Sequence, residues 1–177
     1  LKNYINLPLE KRIFQSSSKL YVKSFLKNEI KRKSDIIEIH NRPSYVKEIA
    51  KQTKANIVLY FHNDPLEMSG SKTINERIEI IKNTKKIIFN SEWSKKRFIK
   101  NLDKIYHKSD KLLVIYQSTN KVKVNFKNKK KIISFIGKLN TSQGYDSFGP
   151  AIIKILNEFN DWTSIVIGNE PREKLLF

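Results

Sequence analysis

Six short apolar runs, set between polar loops and stretches of helical spacing, constrain the fold of this chain more than any other feature. They are DIIEI (35–39), NIVLYF (56–61), KIIFN (86–90), KLLVIY (111–116), KIISFI (131–136) and TSIVI (163–167). Nearly all are apolar throughout rather than alternating. A strand with that pattern is buried on both faces, so the runs predict parallel strands covered on either side by helices. The expected fold class is α/β. In open sheets of this kind a ligand lies beyond the carboxyl ends of the strands. The loops expected to carry chemistry are therefore HNRP (40–43), FHNDP (61–65), NSEW (90–93), YQST (116–119), GKLNTSQG (137–144) and GNEPR (168–172).

The helices fall between these runs. Residues 1–15 read as irregular, with Pro8 as a breaker, and Ser16 to Ser18 can cap a helix through Leu20, Phe25, Leu26 and Ile30 to the basic end KRK. Pro43 can open a helix carrying Val46, Ile49 and Ala50. Ile74, Ile78 and Ile81 mark another. Ser91 is a good N-cap for the helix of Trp93, Arg97, Phe98 and Leu102, with Glu92 well placed in its first turn; Trp93 and Phe98 read as core. The segment 117–130 is polar, basic and free of helical pattern, which marks a linker. The expected partition is an incomplete N-terminal domain over 1–118, a linker over 119–130, and the start of a second domain over 131–177.

That second domain opens on the most informative local pattern. The strand run ends at Gly137, a polar loop with Lys138 and Gln143 follows, Gly144 closes it, and Phe148, Ile152, Ile155 and Leu156 then recur at helical spacing. A glycine turn leading from a strand into a helix N-terminus suits a phosphate group, because the first backbone N–H groups lack intrahelical partners and the dipole favours negative charge there. An ordinary solvated turn with one lysine is the alternative.

Composition removes several function classes. The chain of 177 residues contains no cysteine, which excludes a disulfide framework, a thiol nucleophile and thiolate-bound metals, and fits a cytoplasmic protein. No apolar stretch approaches the roughly 20 residues needed to span a bilayer. The single methionine is Met68, the first residue is Leu1, and Phe177 follows closely on a strand-like run, so a piece of a longer protein is expected. There are 35 Lys+Arg against 17 Asp+Glu, a net charge of +18. That balance suits an anionic membrane or a nucleic acid. The basic residues are spread along the chain rather than clustered, and Lys, Ile and Asn are abundant together, as in an AT-rich coding sequence. No Walker A pattern, Gly-x-Ser-x-Gly elbow or complete Gly-x-Gly-x-x-Gly is present, so ATPase, hydrolase and dehydrogenase readings lack support.

Five motifs in register, IEIHNRPSYV (37–46), YFHNDPLEM (60–68), IIFNSEWSKKRF (87–98), FIGKLNTSQGYDSF (135–148) and WTSIVIGNEPR (162–172), resemble glycosyltransferase family 4, the GT-B group that includes glycogen-synthase-like and lipopolysaccharide-type enzymes. The resemblance covers residues 35 to the end. It implies two Rossmann-like domains facing a cleft, with the acceptor held mainly by the N-terminal one and a nucleotide-diphosphate sugar by the C-terminal one. It implies that the first strands of the N-domain and their glycine loop lie upstream of Leu1, and that the paired glutamates of the donor site lie beyond Phe177. Residues 131–177 would be the first β-α-β of the donor domain, and this segment of chain alone would be inactive.

The resemblance also assigns residues. Gly137, Lys138, Gln143, Gly144, Gly168, Asn169 and Glu170 would face the donor diphosphate. Lys138 stands where the family usually has Arg, which keeps the charge and loses the planar fork, and Gln143 stands where Lys precedes Gly, which keeps a donor and loses the charge. His62 would contact a sugar hydroxyl or the reacting phosphate oxygen, with Asp64 as its charge partner, and these two are the expected catalytic residues. His40, Asn41, Arg42 and Asn63 would lie on the acceptor side, Arg42 clamping an anionic group or else pairing with Glu38 or Glu48. No metal or other cofactor is implied, and His40 and His62 lie on loops without metal-ligand spacing.

The resulting expectation is a retaining hexosyltransferase that acts on a hydroxyl of a glycan or glycolipid in surface polysaccharide or lipopolysaccharide synthesis. Its partners would be a nucleotide-sugar donor, that acceptor and, peripherally, an anionic membrane at the inner face of the cytoplasmic membrane, with no specific nucleic acid. The alternatives are a basic nucleic-acid-binding α/β module, an epimerase-type GT-B relative, and an inactive relative, the last suggested by Gln143.

Overall fold

The computed structural model describes residues 16–123 and 125–169. The chain divides into two compact units, Leu1–Thr119 and Asn120–Phe177. In the first, helix α1 (Ser17–Arg32) precedes strand β1 (Ile36–His40), a 3-10 turn (Pro43–Tyr45), α2 (Val46–Ala50) and β2 (Asn56–Phe61). A second 3-10 turn (Pro65–Glu67), α3 (Ile74–Asn83), β3 (Lys86–Phe89), α4 (Glu92–Ile99), α5 (Lys104–His107) and β4 (Leu112–Val114) follow. The four strands form one sheet in the order β1-β2-β3-β4, every neighbour parallel. In register, Ile37 lies beside Ile57, His40 beside Tyr60, and Phe61 beside Phe89.

Local chemistry explains the boundaries. The Ser16 side chain accepts from Lys19 N, and Lys31 and Arg32 close α1 at its negative dipole end. Beyond it, the buried Glu29 carboxylate accepts from Ser34 N at 2.7 Å and Ser34 Oγ at 2.8 Å, which holds the turn into β1. Thr73 and Glu76 form a reciprocal capping box on α3. Gly70 has φ +93°, and a Cβ there would meet Ser44 N at 2.4 Å, so only glycine lets the loop after β2 reach the turn after β1.

One face of the sheet builds the core. Ile37, Ile39, Ile57, Leu59, Phe61, Ile87, Phe89 and Leu112 pack with Val22 and Leu26 of α1, Val46 and Ile49 of α2, Ile80 and Ile81 of α3, and Phe98 of α4. The rings of Phe61, Phe89 and Phe98 lie 5.3–5.6 Å apart and are fully buried; each such side chain contributes about 1.5–3 kcal/mol. The side chain of Arg77 is also buried here. It donates to the carbonyl oxygens of Thr73, Phe98 and Lys100 and so ties α3 to the end of α4.

The opposite face differs from the expectation of helices on both sides. Ile36, Glu38 and His40 of β1 are exposed, Val58 and Tyr60 of β2 are half-buried, and Leu113 and Ile115 are exposed. In this unit α1 to α4 pack on the Ile37 face, and on the other face Ile88 of β3 is buried. Trp93 also departs from its expected core position: it is 58% exposed and carries the Arg97 guanidinium 5.7 Å above its ring. Phe98 is the aromatic of α4 that reaches the core.

The second unit has a 3-10 turn (Phe126–Asn128), β5 (Ile132–Ile136), a 3-10 turn (Thr141–Gln143), α6 (Tyr145–Glu158) and β6 (Thr163–Ile167). β5 and β6 pair in parallel, Ile132 beside Thr163 and Ile136 beside Ile167. Phe135, Tyr145 and Phe148 pack together beneath α6, with ring centroids 5.1–6.5 Å apart.

Candidate functional site

The carboxyl ends of β1 to β4 converge on His62. Its backbone N–H donates to Asn41 Oδ1 at 2.8 Å, and its carbonyl accepts from Asn90 Nδ2 at 2.8 Å. Its ring Nε2 lies 2.9 Å from His40 Nδ1, and its Nδ1 lies 2.8 Å from Gln117 Nε2. Three neighbouring strand ends thus hold one residue by its peptide and by both ring nitrogens. The holders are themselves fixed. Asn41 adopts φ +52°, a left-handed conformation that Asn tolerates, and its N–H donates to Tyr60 O at 2.9 Å. Asn90 Oδ1 accepts from the buried Ser94 Oγ at 2.9 Å.

Chemistry orders the hydrogens in this chain of rings. The Glu38 carboxylate lies 3.7 Å from His40 Nε2, which favours a hydrogen on that nitrogen. His40 Nδ1 is then an acceptor, so His62 donates from Nε2 and accepts at Nδ1 from the Gln117 amide. In this ordering both rings carry their hydrogen on Nε2, and each donation strengthens the next. The His40 ring also stacks on Tyr60 with centroids 4.5 Å apart. The pKa of Tyr60 is raised by burial first and by the Glu38 charge second.

The residues expected from sequence therefore separate. His40, Asn41 and His62 come together. Asp64 follows His62 but faces elsewhere: it caps the 3-10 turn through Leu66 N at 3.0 Å and takes a bidentate pair from Arg97, with Arg97 Nη2 at 2.7 Å. That hydrogen bond, more than any other influence, holds the Asp64 carboxyl below its ordinary pKa. The partners of the His62 ring are His40 and Gln117. Arg42 is exposed and donates to Asn41 O at 2.9 Å, while Glu48 pairs with Lys51. Asn63 is exposed. Asn90, Gln117, Glu38 and Tyr60 were not singled out from the sequence, although Asn90 and Gln117 stand in two of the strand-end loops where chemistry was expected.

In the second unit, Gly137 donates its N–H to Ile167 O at 3.0 Å, and a Cβ on Gly168 would stand 1.7 Å from Gly137 O. The two strand ends touch through bare backbone. The Gln143 side chain lies over Gly137, its Oε1 3.5 Å from where a Cβ would project. Gly144, at φ +77°, is the N-cap of α6 and offers no side chain; the Tyr145 N–H donates to Asn140 O at 3.2 Å and the Ser147 and Phe148 N–H groups to Gly144 O, with Asp146 in the first turn. Gly137, Gln143 and Gly168 thus converge, while Lys138 and Asn169 are exposed on the flanking loops. Glu170 lies outside the described residues. No group of three or more potential metal ligands occurs among the described residues, and no described helix is long and apolar enough to cross a membrane.

No family model and no curated relative matches this chain. Among solved structures it is similar to one described as the crystal structure of accessory secretory protein 1, 2 and 3 in Streptococcus pneumoniae. The TM-score is 0.51 at 10% identity, over 86% of this chain and 36% of that one. At that identity the likeness concerns the fold alone, a Rossmann-like parallel α/β arrangement, and this chain spans about a third of its neighbour's length (36%).

Proposed function

We propose that this chain is part of a retaining glycosyltransferase of the GT-B type, which moves a hexose from a nucleotide-diphosphate sugar to a hydroxyl of a glycan or glycolipid acceptor. The observation that carries the reading is the convergence of four strand ends on His62, at the edge where parallel α/β proteins bind ligands. The first unit holds the acceptor along His40, Asn41, Arg42 and Asn63. The second holds the donor diphosphate on the turn 137–144, through Lys138, the Gln143 amide and the close backbone at Gly168 and Asn169. Lys138 supplies the positive charge that stabilises the leaving diphosphate. Asp146 opposes an anion at that helix end and makes Lys138 the more necessary. Chemistry of this kind needs no metal. The spread positive charge favours an acceptor presented at an anionic membrane.

Saturation-transfer NMR of the full-length protein with UDP-, GDP- and ADP-sugars tests the reading. Transfer to the nucleotide protons of one of the three is expected, reduced severalfold by Lys138→Ala. Absence of transfer from every donor would sink it.

A further inference from the structure

The histidine expected to meet the substrate has no free nitrogen. His62 Nδ1 is taken by Gln117 and His62 Nε2 by His40, and its peptide is clamped on both sides. The outward end of the chain is His40 Nε2, whose side chain is 51% exposed, 3.7 Å from the 56% exposed Glu38 carboxylate. We infer that His40 Nε2–H and the Glu38 carboxylate form a donor–acceptor pair for a single neutral hydroxyl group, with His62, Gln117 and Tyr60 as the positioning residues behind it.

The geometry selects that ligand class. An oxygen placed between two polar atoms 3.7 Å apart reaches both at ordinary hydrogen-bond length. A hydroxyl accepts from the imidazole N–H and donates to the carboxylate, satisfying both. A phosphate oxygen can only accept, and its charge is repelled by Glu38. The pair is preorganised. Tyr60 stacks on His40, while the Gln117–His62 donation fixes the tautomer and polarises the terminal N–H. Both residues also belong to the lining of a cavity of about 300 Å³ beside β1. That the hydroxyl belongs to a carbohydrate rests on the transferase reading.

Long-range ¹H–¹⁵N correlation spectra of the chain with labelled histidine test this directly. The three histidines are assigned from His40→Gln, His62→Gln and His107→Gln. At alkaline pH, where imidazole is neutral, His40 and His62 should both show the Nε2–H pattern. Adding methyl glucoside, galactoside or mannoside should shift the His40 resonances, and inorganic phosphate should not. Glu38→Ala should abolish the sugar-induced shift while His62 keeps its tautomer, which also reports that the variant is folded. An Nδ1–H pattern on His40, a response to phosphate in place of sugars, no response to any sugar, or an undiminished response in Glu38→Ala would each overturn the assignment. Its fate is separable from that of the transferase reading: failure of every nucleotide sugar with the His40 response intact sinks the enzyme and leaves the hydroxyl pair, and the reverse result does the opposite.

Discussion

Arg77 and Asp64 show how single residues divide structural from functional charge. Arg77 is 3% exposed, and its partners are carbonyl oxygens rather than a carboxylate. Burial lowers its pKa, yet a guanidinium stays charged. Replacing it with Met keeps volume and leaves the Phe98 and Lys100 carbonyls without their donor. The buried Phe98 acceptor left unpaired costs about 1–3 kcal/mol, so Arg77→Met should lower the urea midpoint clearly without changing the slope. Asp64 behaves differently. Its folded pKa is depressed by Arg97, so its contribution to stability is complete above the unfolded value of about 3.9. That contribution is lost as pH falls through the lower folded value. Urea midpoints measured from neutral pH downward should therefore fall less steeply in Asp64→Asn than in the parent below that pH; parallel curves would refute the assignment. The sequence pointed to Asp64 because it is two positions from His62. It could not show that the Arg97 fork, 33 residues away, claims the carboxylate.

At the level of elements, much was legible and the reasons are physical. Continuous apolar runs located every described strand within a residue or two, because they are rich in β-branched and aromatic residues bounded by polar loops, although burial along β1 and β2 alternates. Pro43 and Ser91 marked starts that the structure confirms, Pro43 through a 3-10 turn before α2. The four-residue α5 carries no periodicity to read, and it was missed. The site was legible only in part. Strand ends could be placed, but convergence depends on the order of strands, and Gln117 meets His62 across 55 residues of chain. Glycine at 168 is another feature whose reason lies in pairing: β5 and β6 end in contact, and any side chain there meets Gly137 O. Gly168→Ala should force the strand ends apart. Amide exchange at Gly137, whose N–H is held by Ile167, should rise at least tenfold, while exchange in β1 to β4 stays unchanged. Unchanged protection at Gly137 would show that the two ends tolerate separation.

For the whole molecule the open question is what a charge of +18 does. A nucleic-acid module concentrates its cations on one face, where several phosphates are neutralised together. Some of the cations are paired with carboxylates. Lys47 and Lys82 pair with Glu79, Lys51 with Glu48, Lys86 with Asp110, and Lys131 with Asp161. The polar convergence at the sheet edge, by contrast, contains Glu38 beside His40, an arrangement hostile to phosphate. Diffuse charge still attracts polyanions, but through counterion release alone, so affinity falls linearly in log–log form as salt rises. Fluorescence anisotropy with random duplex DNA should accordingly show only weak binding near 50 mM salt, with a loss by 200 mM well short of the ~10³-fold that about six phosphate contacts give. Duplexes of different sequence should give the same curve. Glu38→Ala and His40→Gln should leave it unmoved, since the sheet edge takes no part. Tight binding with a steeper salt slope would put the nucleic-acid reading ahead of the transferase one, and a response to either substitution would mean that the edge on which His62 sits recognises phosphate.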